Sequence, residues 1–171
     1  MRFCSIASGS SGNCIYVGSD NTHVLVDIGI SGKKMETGLN SLELTGRDLD
    51  GILITHEHSD HIKGLGVISR KYGIPIYATA GTVDAMVRTN ALGKIPEGIF
   101  HEIQEDEPFM INDLKVNPFT IPHDAAQPVG YRLEHEGHSV GIATDLGKYN
   151  DYIIENLQGL DALLLDLIQL A

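Results

Sequence analysis

The run His56-Glu57-His58-Ser59-Asp60-His61 puts three imidazoles and two carboxylates into six residues. Crowding such groups directly after an apolar strand costs desolvation unless something compensates them, and a metal cation does. His56 and His58, two apart in a loop leaving a strand, can aim neutral nitrogens at one ion. Asp60 and His61 can then reach a second ion beside it. As a loop leaving a strand, the segment is expected to lie outside the core. The competing reading, exposed histidines that help to cap a helix after Asp60, is the weaker one, because His-x-His-x-Asp-His is a specific short pattern. Two ions so held would lower the pKa of a shared water and polarise a scissile carbonyl or phosphoryl oxygen, with Asp60 as general acid and base. Other residues stay open on their own chemistry. His123, in Ile-Pro-His-Asp, is equally a ligand or an ordinary loop histidine, and Asp145, in Ala-Thr-Asp-Leu-Gly, is more often a helix N-cap.

These residues need strands and turns to position them. Residues 1–7, 14–18, 23–27 and 51–55 read as strands, the first two joined by a Gly/Ser turn over 8–13. A helix weakened by Gly38 is expected over 31–44, and helical spacing recurs over 64–72 and 82–92 around a short strand at 75–78. From Glu107 onward strands return at 108–111, 114–121, 130–134 and 139–144, followed by a helix over 150–157 and a last apolar strand at 162–165. Two groups of strands with helices packed outside them predict an α/β layered sandwich. Without internal repeats or linkers, residues 1–171 are expected to form one domain. His56 then follows one strand directly, Asp27 ends another, and His123 and Asp145 fall at strand ends.

The chain resembles the metallo-β-lactamase superfamily. The resemblance rests on His56 to His61 together with Ser8-Gly9-Ser10-Ser11-Gly12-Asn13 and Val26-Asp27-Ile28-Gly29, and it extends from residue 1 to about residue 166. It is similar in particular to the VicX/YycJ (WalJ)-type branch of bacterial metal-dependent hydrolases. The resemblance implies an αββα sandwich with two divalent ions, Zn²⁺, Mn²⁺ or Fe. The first would be held by His56, His58 and His123, and the second by Asp60, His61 and Asp145, with Asp145 bridging both. It implies that Asp27 orients the ligand loop from behind, and the Gly/Ser turn makes Ser10, Ser11 and Asn13 candidate substrate contacts. The superfamily pattern also has a histidine well downstream of the bridging aspartate, whereas this sequence has none after His138. The resemblance therefore implies a sandwich incomplete in its second half, a weakly occupied second metal position and a homodimer that covers the apolar run 163–165 and 167–168.

Composition narrows the class. A chain of 171 residues, 42% of them apolar, supports one core. With 23 acidic against 12 basic residues, a formal charge of −11 excludes a broad basic surface for gripping phosphate backbones. No apolar stretch approaches a membrane span or a signal peptide, so a cytoplasmic location is expected. Cys4 and Cys14 are expected to be reduced thiols. His23, His101, His135 and His138 have no partners at ligand spacing and are expected to be surface or packed residues. The expected function is hydrolysis of a phosphodiester, as a DNA exonuclease by the family resemblance. The alternatives are hydrolysis of a small ester, thioester or lactone, and an inactive metal-binding or interaction module.

Overall fold

The computed structural model describes residues 1–167. Its first sheet is built from β1 (Arg2–Ala7), β2 (Cys14–Gly18), β3 (His23–Val26), β4 (Gly51–Leu53), β5 (Ile76–Thr79) and β6 (Phe100–Ile103), in that spatial order. The β1–β2 and β2–β3 pairs are antiparallel, and the remaining neighbours run parallel. The second sheet has the order β11 (Ala162–Leu167), β10 (His138–Leu146), β9 (Val129–His135), β8 (Leu114–Thr120) and β7 (Phe109–Ile111), antiparallel except for β10–β11.

Among the described residues five α-helices join these strands: α1 (Gly32–Ser41), α2 (Ser59–Ile62), α3 (Leu65–Tyr72), α4 (Ala80–Arg88) and α5 (Asp151–Asn156). Three hydrophobic layers show how they stack. Met35 and Leu39 of α1 and Leu65 and Ile68 of α3 pack on Tyr16, Leu25 and Ile52 of the first sheet. Ile15, Val17, Val24 and Val26 face Val116, Tyr131, Leu133 and Ile142 of the second sheet. Ile153 of α5 closes the far side against Phe119 and Ala143. Strands β2 and β3 send alternate side chains to opposite faces, and both faces are apolar because both are covered. The result is the helix, sheet, sheet, helix order expected from the sequence.

Two expectations shift. The strand β6, which carries no strand signal in the sequence, pairs as an edge with β5, and its exposed His101 and Glu102 hide the apolar alternation that marks a strand. The segment 59–62 forms the short helix α2 rather than a continuing loop. Gly38 does not weaken α1 arbitrarily: a Cβ there would stand 2.4 Å from the Ile6 side chain, so the glycine lets the helix lie against β1. The outward face of β11 carries Leu163, Leu165 and Leu167, all exposed, while Ala162 and Leu164 pack inward. The rest of the apolar run noted in the sequence, from Ile168 on, lies outside the described residues. No described helix is long and apolar enough to cross a membrane.

Candidate metal centre

Four strand ends deliver the centre. Open α/β sheets place ligands beyond the carboxyl ends of their strands, and here β3 leads into Asp27, β4 into Thr55 and His56, β8 into His123, while Asp145 lies one residue before the end of β10. The β10–β11 register breaks between Ala143 and Leu146, and Asp145 takes a left-handed φ of 57°, which re-aims its side chain. Asp27 is likewise left-handed, at φ 62°. Two such residues facing one cavity mark a place where the surrounding structure holds a conformation that non-glycine residues avoid.

The histidine segment is not outside the core. His56, His61 and Asp27 are fully buried, while His58 and Asp60 retain partial exposure. Burial is achieved by a closed set of hydrogen bonds. The Thr55 backbone N–H donates to Asp27 Oδ1 at 2.8 Å and its hydroxyl donates to Asp27 Oδ2 at 2.7 Å, while His61 Nδ1 donates to the same oxygen at 2.6 Å. On the other side of the segment, the Asp60 carbonyl accepts from the Asn13 backbone at 2.8 Å and from the Asn13 side chain at 3.2 Å. Gly29 fits against that carbonyl so closely that a Cβ would lie 1.6 Å from it. Glu57 Oε1 accepts from the Ala126 backbone at 2.8 Å, tying this segment to the turn that carries His123.

The tautomers follow from these bonds. Because the Thr55 hydroxyl proton goes to Asp27, its oxygen accepts from His56 Nδ1, 3.0 Å away. The Nε2 of His56 is then a lone pair, buried and without a hydrogen-bond partner, 3.1 Å from Asp145 Oδ2. A lone pair facing a carboxylate oxygen at that distance is repulsive unless a second proton or a metal cation lies between them. His61 repeats the arrangement: its Nδ1 is spent on Asp27, and its Nε2 lies 2.7 Å from Asp145 Oδ2 and 3.5 Å from Asp60 Oδ2. His123 Nε2 stands 3.2 Å from His58 Nδ1 and 4.0 Å from Asp145 Oδ2.

Two trios result, His56 with His58 and His123, and His56 with His61 and Asp145, each with its ligand atoms within 4.8 Å of one another. The first trio is the set expected from the sequence. The second has His56 where Asp60 was expected, and Asp60 lies outside it, 3.5 Å from His61 Nε2. Imidazole nitrogens and a carboxylate, among them the buried His56 Nε2 that has no hydrogen-bond partner, fit a divalent transition metal.

Titration separates the two trios. Burial, then crowding by His56, pushes the His123 imidazole down toward its neutral form. Burial alone would also depress His61, but the carboxylates of Asp27 and Asp145 outweigh it and push that imidazole up to about 10. With a second proton on the rings of His56 and His61 beside it, Asp145 is held well below the usual carboxylate range.

Thr55 carries no functional signal in the sequence, and Glu57 and Gly29 belong to the matched runs without a role of their own. The alternation that ends in Thr55 gives no sign of a hydrogen-bonding role, since threonine is an ordinary strand residue. Asn13 is buried, its amide donates to the Gly9 and Asp60 carbonyls and lies 3.3 Å from His61 Nε2, whereas Ser10 and Ser11 are exposed. His23 stacks on Tyr16, His101 lies against Tyr77, and His135 and His138 lie beside Asp113 and Asp161, all apart from the cluster. Cys4 and Cys14 are free thiols.

Comparison with known proteins places this geometry among relatives. The family described as the beta-lactamase superfamily domain matches residues 22–170. Exodeoxyribonuclease YycJ of Bacillus anthracis is 40% identical over 162 residues, covering 95% of this chain and 61% of that protein. Exodeoxyribonuclease WalJ of Streptococcus pneumoniae is also 40% identical over 162 residues, covering 93% and 60%. The chain thus spans about 60% of the length of these curated relatives. Among solved structures, Zn(2+)-bound PqqB from Methylobacterium extorquens superimposes with a TM-score of 0.74 at 19% identity, covering 90% of this chain and 59% of that one.

Proposed function

The chain belongs to the beta-lactamase superfamily, with the metallo-β-lactamase fold, and from that premise we propose that it is a metal-dependent phosphodiesterase acting on DNA as an exonuclease. The observation that carries the reading is the buried, unpartnered His56 Nε2 set against Asp145, with two ligand trios sharing that ring. The two relatives named exodeoxyribonucleases support the substrate class.

In this reading His56, His58 and His123 would hold one divalent ion, and Asp60, His61 and Asp145 would hold a second. Zn²⁺ and Mn²⁺ suit the mixed nitrogen and oxygen donors, and Fe is compatible. Such ions supply an activated water at neutral pH and neutralise charge on the phosphoryl oxygens. The protein does the rest. Asp27 keeps the proton of His61 on Nδ1, so Nε2 faces the centre, and Thr55 does the same for His56. Asp60, partly open to solvent beside His61 Nε2, is the group that accepts a proton from the attacking water and passes it to the leaving oxygen. Asn13 and Gly29 fix the Asp60 backbone and act as positioning residues.

The same reading takes residues 1–171 as one cytoplasmic domain that self-associates, supported by the continuous core between the sheets and by the exposed leucines of β11. A substrate panel tests the chemistry. With added Mn²⁺ or Zn²⁺, the chain is expected to hydrolyse bis-(p-nitrophenyl) phosphate and to shorten end-labelled DNA, and to leave a thioester and a lactone intact. Turnover of the thioester or lactone alone would replace this reading with small-molecule hydrolysis.

A further inference from the structure

Beside the centre, a groove of about 680 Å³ runs between the Gly/Ser turn and the start of α1. Its floor is Ile6, Ala7 and Gly38, and its rim carries Ser11, Ser31 and Thr37 together with Lys33 and Lys34. No acidic residue lines it, in a chain with 23 acidic and 12 basic residues. Two other grooves differ: the one at Tyr77 and Phe109 includes Glu102 and Glu107, and the one at Arg132 includes Asp113, Glu134 and Glu136, while a smaller one at Met86 and Phe100 has neither acid nor lysine. Lys33 and Lys34 are exposed, and among the described residues neither pairs with a carboxylate. Glu36, the acidic residue of the same helix, is taken instead by Lys71 and Tyr72.

Backbone contacts link the groove to the centre. Gly12 packs on the Gly29 carbonyl and the Ile30 side chain, Gly29 donates to the Asn13 carbonyl at 2.7 Å, and Asn13 donates to the Asp60 carbonyl. One wall of the groove therefore shares its backbone with the segment that presents Asp60. We propose that this groove holds a single DNA strand leading into the metal centre, with Lys33 and Lys34 on its phosphates and the hydroxyls of Ser11, Ser31 and Thr37 along its rim. The proposal rests on the nuclease reading and names where the strand lies. Charge complementarity carries it: two unpaired ammonium groups on an acid-free groove form a local anion path on a protein whose net charge otherwise repels DNA. The apolar floor gives sugars and bases a surface that requires no sequence preference.

Binding of a fluorescent 12-nucleotide single strand to the full chain in EDTA, followed by anisotropy across a salt series, tests the proposal without cleavage. Each phosphate contact on a single strand contributes about −0.7 to the slope of log affinity against log salt. The pair Lys33→Gln with Lys34→Gln is expected to flatten that slope by about 1.4, whereas Arg88→Gln with Lys94→Gln, equal in charge and away from the groove, leaves it unchanged. An unaltered slope in the groove variant, an equal change in both variants, or no binding by the unmodified chain would each overturn the proposal. Binding through the groove by a chain that cleaves neither DNA nor bis-(p-nitrophenyl) phosphate would instead remove the nuclease reading and leave the groove assignment standing.

Discussion

The two sheets contribute to the centre in different ways. From the first sheet, His56 and His61 arrive buried, each with Nδ1 tied to a neighbour and the whole segment fastened by Asp27, Thr55, Asn13 and Gly29. From the second, His123 follows β8 in a turn held by the Ala125 N–H on the His123 carbonyl and the Ala126 N–H on Glu57, and Asp145 sits on a register break. One half is preorganised by hydrogen bonds that also stabilise the fold. The other is carried on a partly exposed turn after β8 and on the irregular end of β10. Substitutions in the first half should therefore cost both stability and metal, and those in the second should cost metal alone.

The largest effect is expected at Asp27. Asp27→Ala leaves the Thr55 N–H, its hydroxyl and His61 Nδ1 without their acceptor inside a buried site, and removing one partner of such an arrangement costs about 3–5 kcal/mol. Urea denaturation of the metal-free protein measures this, and a loss under about 1 kcal/mol would mean the anchor is dispensable. Next is Gly29→Ala, whose methyl group must displace the Asp60 carbonyl. A destabilisation of about 1–3 kcal/mol is expected, together with weaker metal retention at the Asp60 position. His123→Ala belongs to the other half: it should lower bound metal by one ion per chain while shifting the denaturation midpoint little. A loss of stability as large as that of Asp27→Ala would erase the distinction between the halves.

Acidity sharpens the same comparison. His61, pushed up to about 10, keeps its extra proton at neutral pH, whereas His123 is pushed toward neutrality. A metal at His61 must displace that proton, so affinity at the second position should rise roughly tenfold per pH unit from about 6.5 toward 10. The position at His123 should vary much less over this range. In the metal-free protein, the raised His61 contributes stability that is full below about 6.5 and is lost as pH climbs through about 10. Titration calorimetry at pH 6.5 and 9 should therefore find one tight ion at the lower value and a second filling at the higher. Two equally tight ions at both would contradict it. The smallest effect is expected from Leu163→Thr with Leu165→Thr, which should reduce self-association in light scattering with little change in the folding midpoint, because both side chains are already exposed.

Most of the centre is legible in the sequence. His56, His58, Asp60 and His61 stand in one specific run, Asp27 closes an apolar strand, and His123 and Asp145 gain meaning from resemblance to a known pattern. What the sequence does not convey is depth. Loop residues are ordinarily solvated, and only the closed bonding among Asp27, Thr55 and His61 makes a buried histidine segment tolerable. The roles of Thr55 and Gly29 are hidden for a related reason: one is a common strand residue, and the other, though part of a matched run, acts through a missing Cβ. The sandwich follows from alternating apolar runs, while β6 escapes notice because its middle residues face solvent.

Metal content tests the central claim most directly. After loading with Zn²⁺ and desalting at pH 9, elemental analysis of the unmodified chain should approach two ions per chain, and His56→Ala, which removes one of the three ligands of the first ion, should retain about one. An unchanged metal-to-protein ratio in His56→Ala, with the fold intact by circular dichroism, would contradict a shared two-metal centre at these residues.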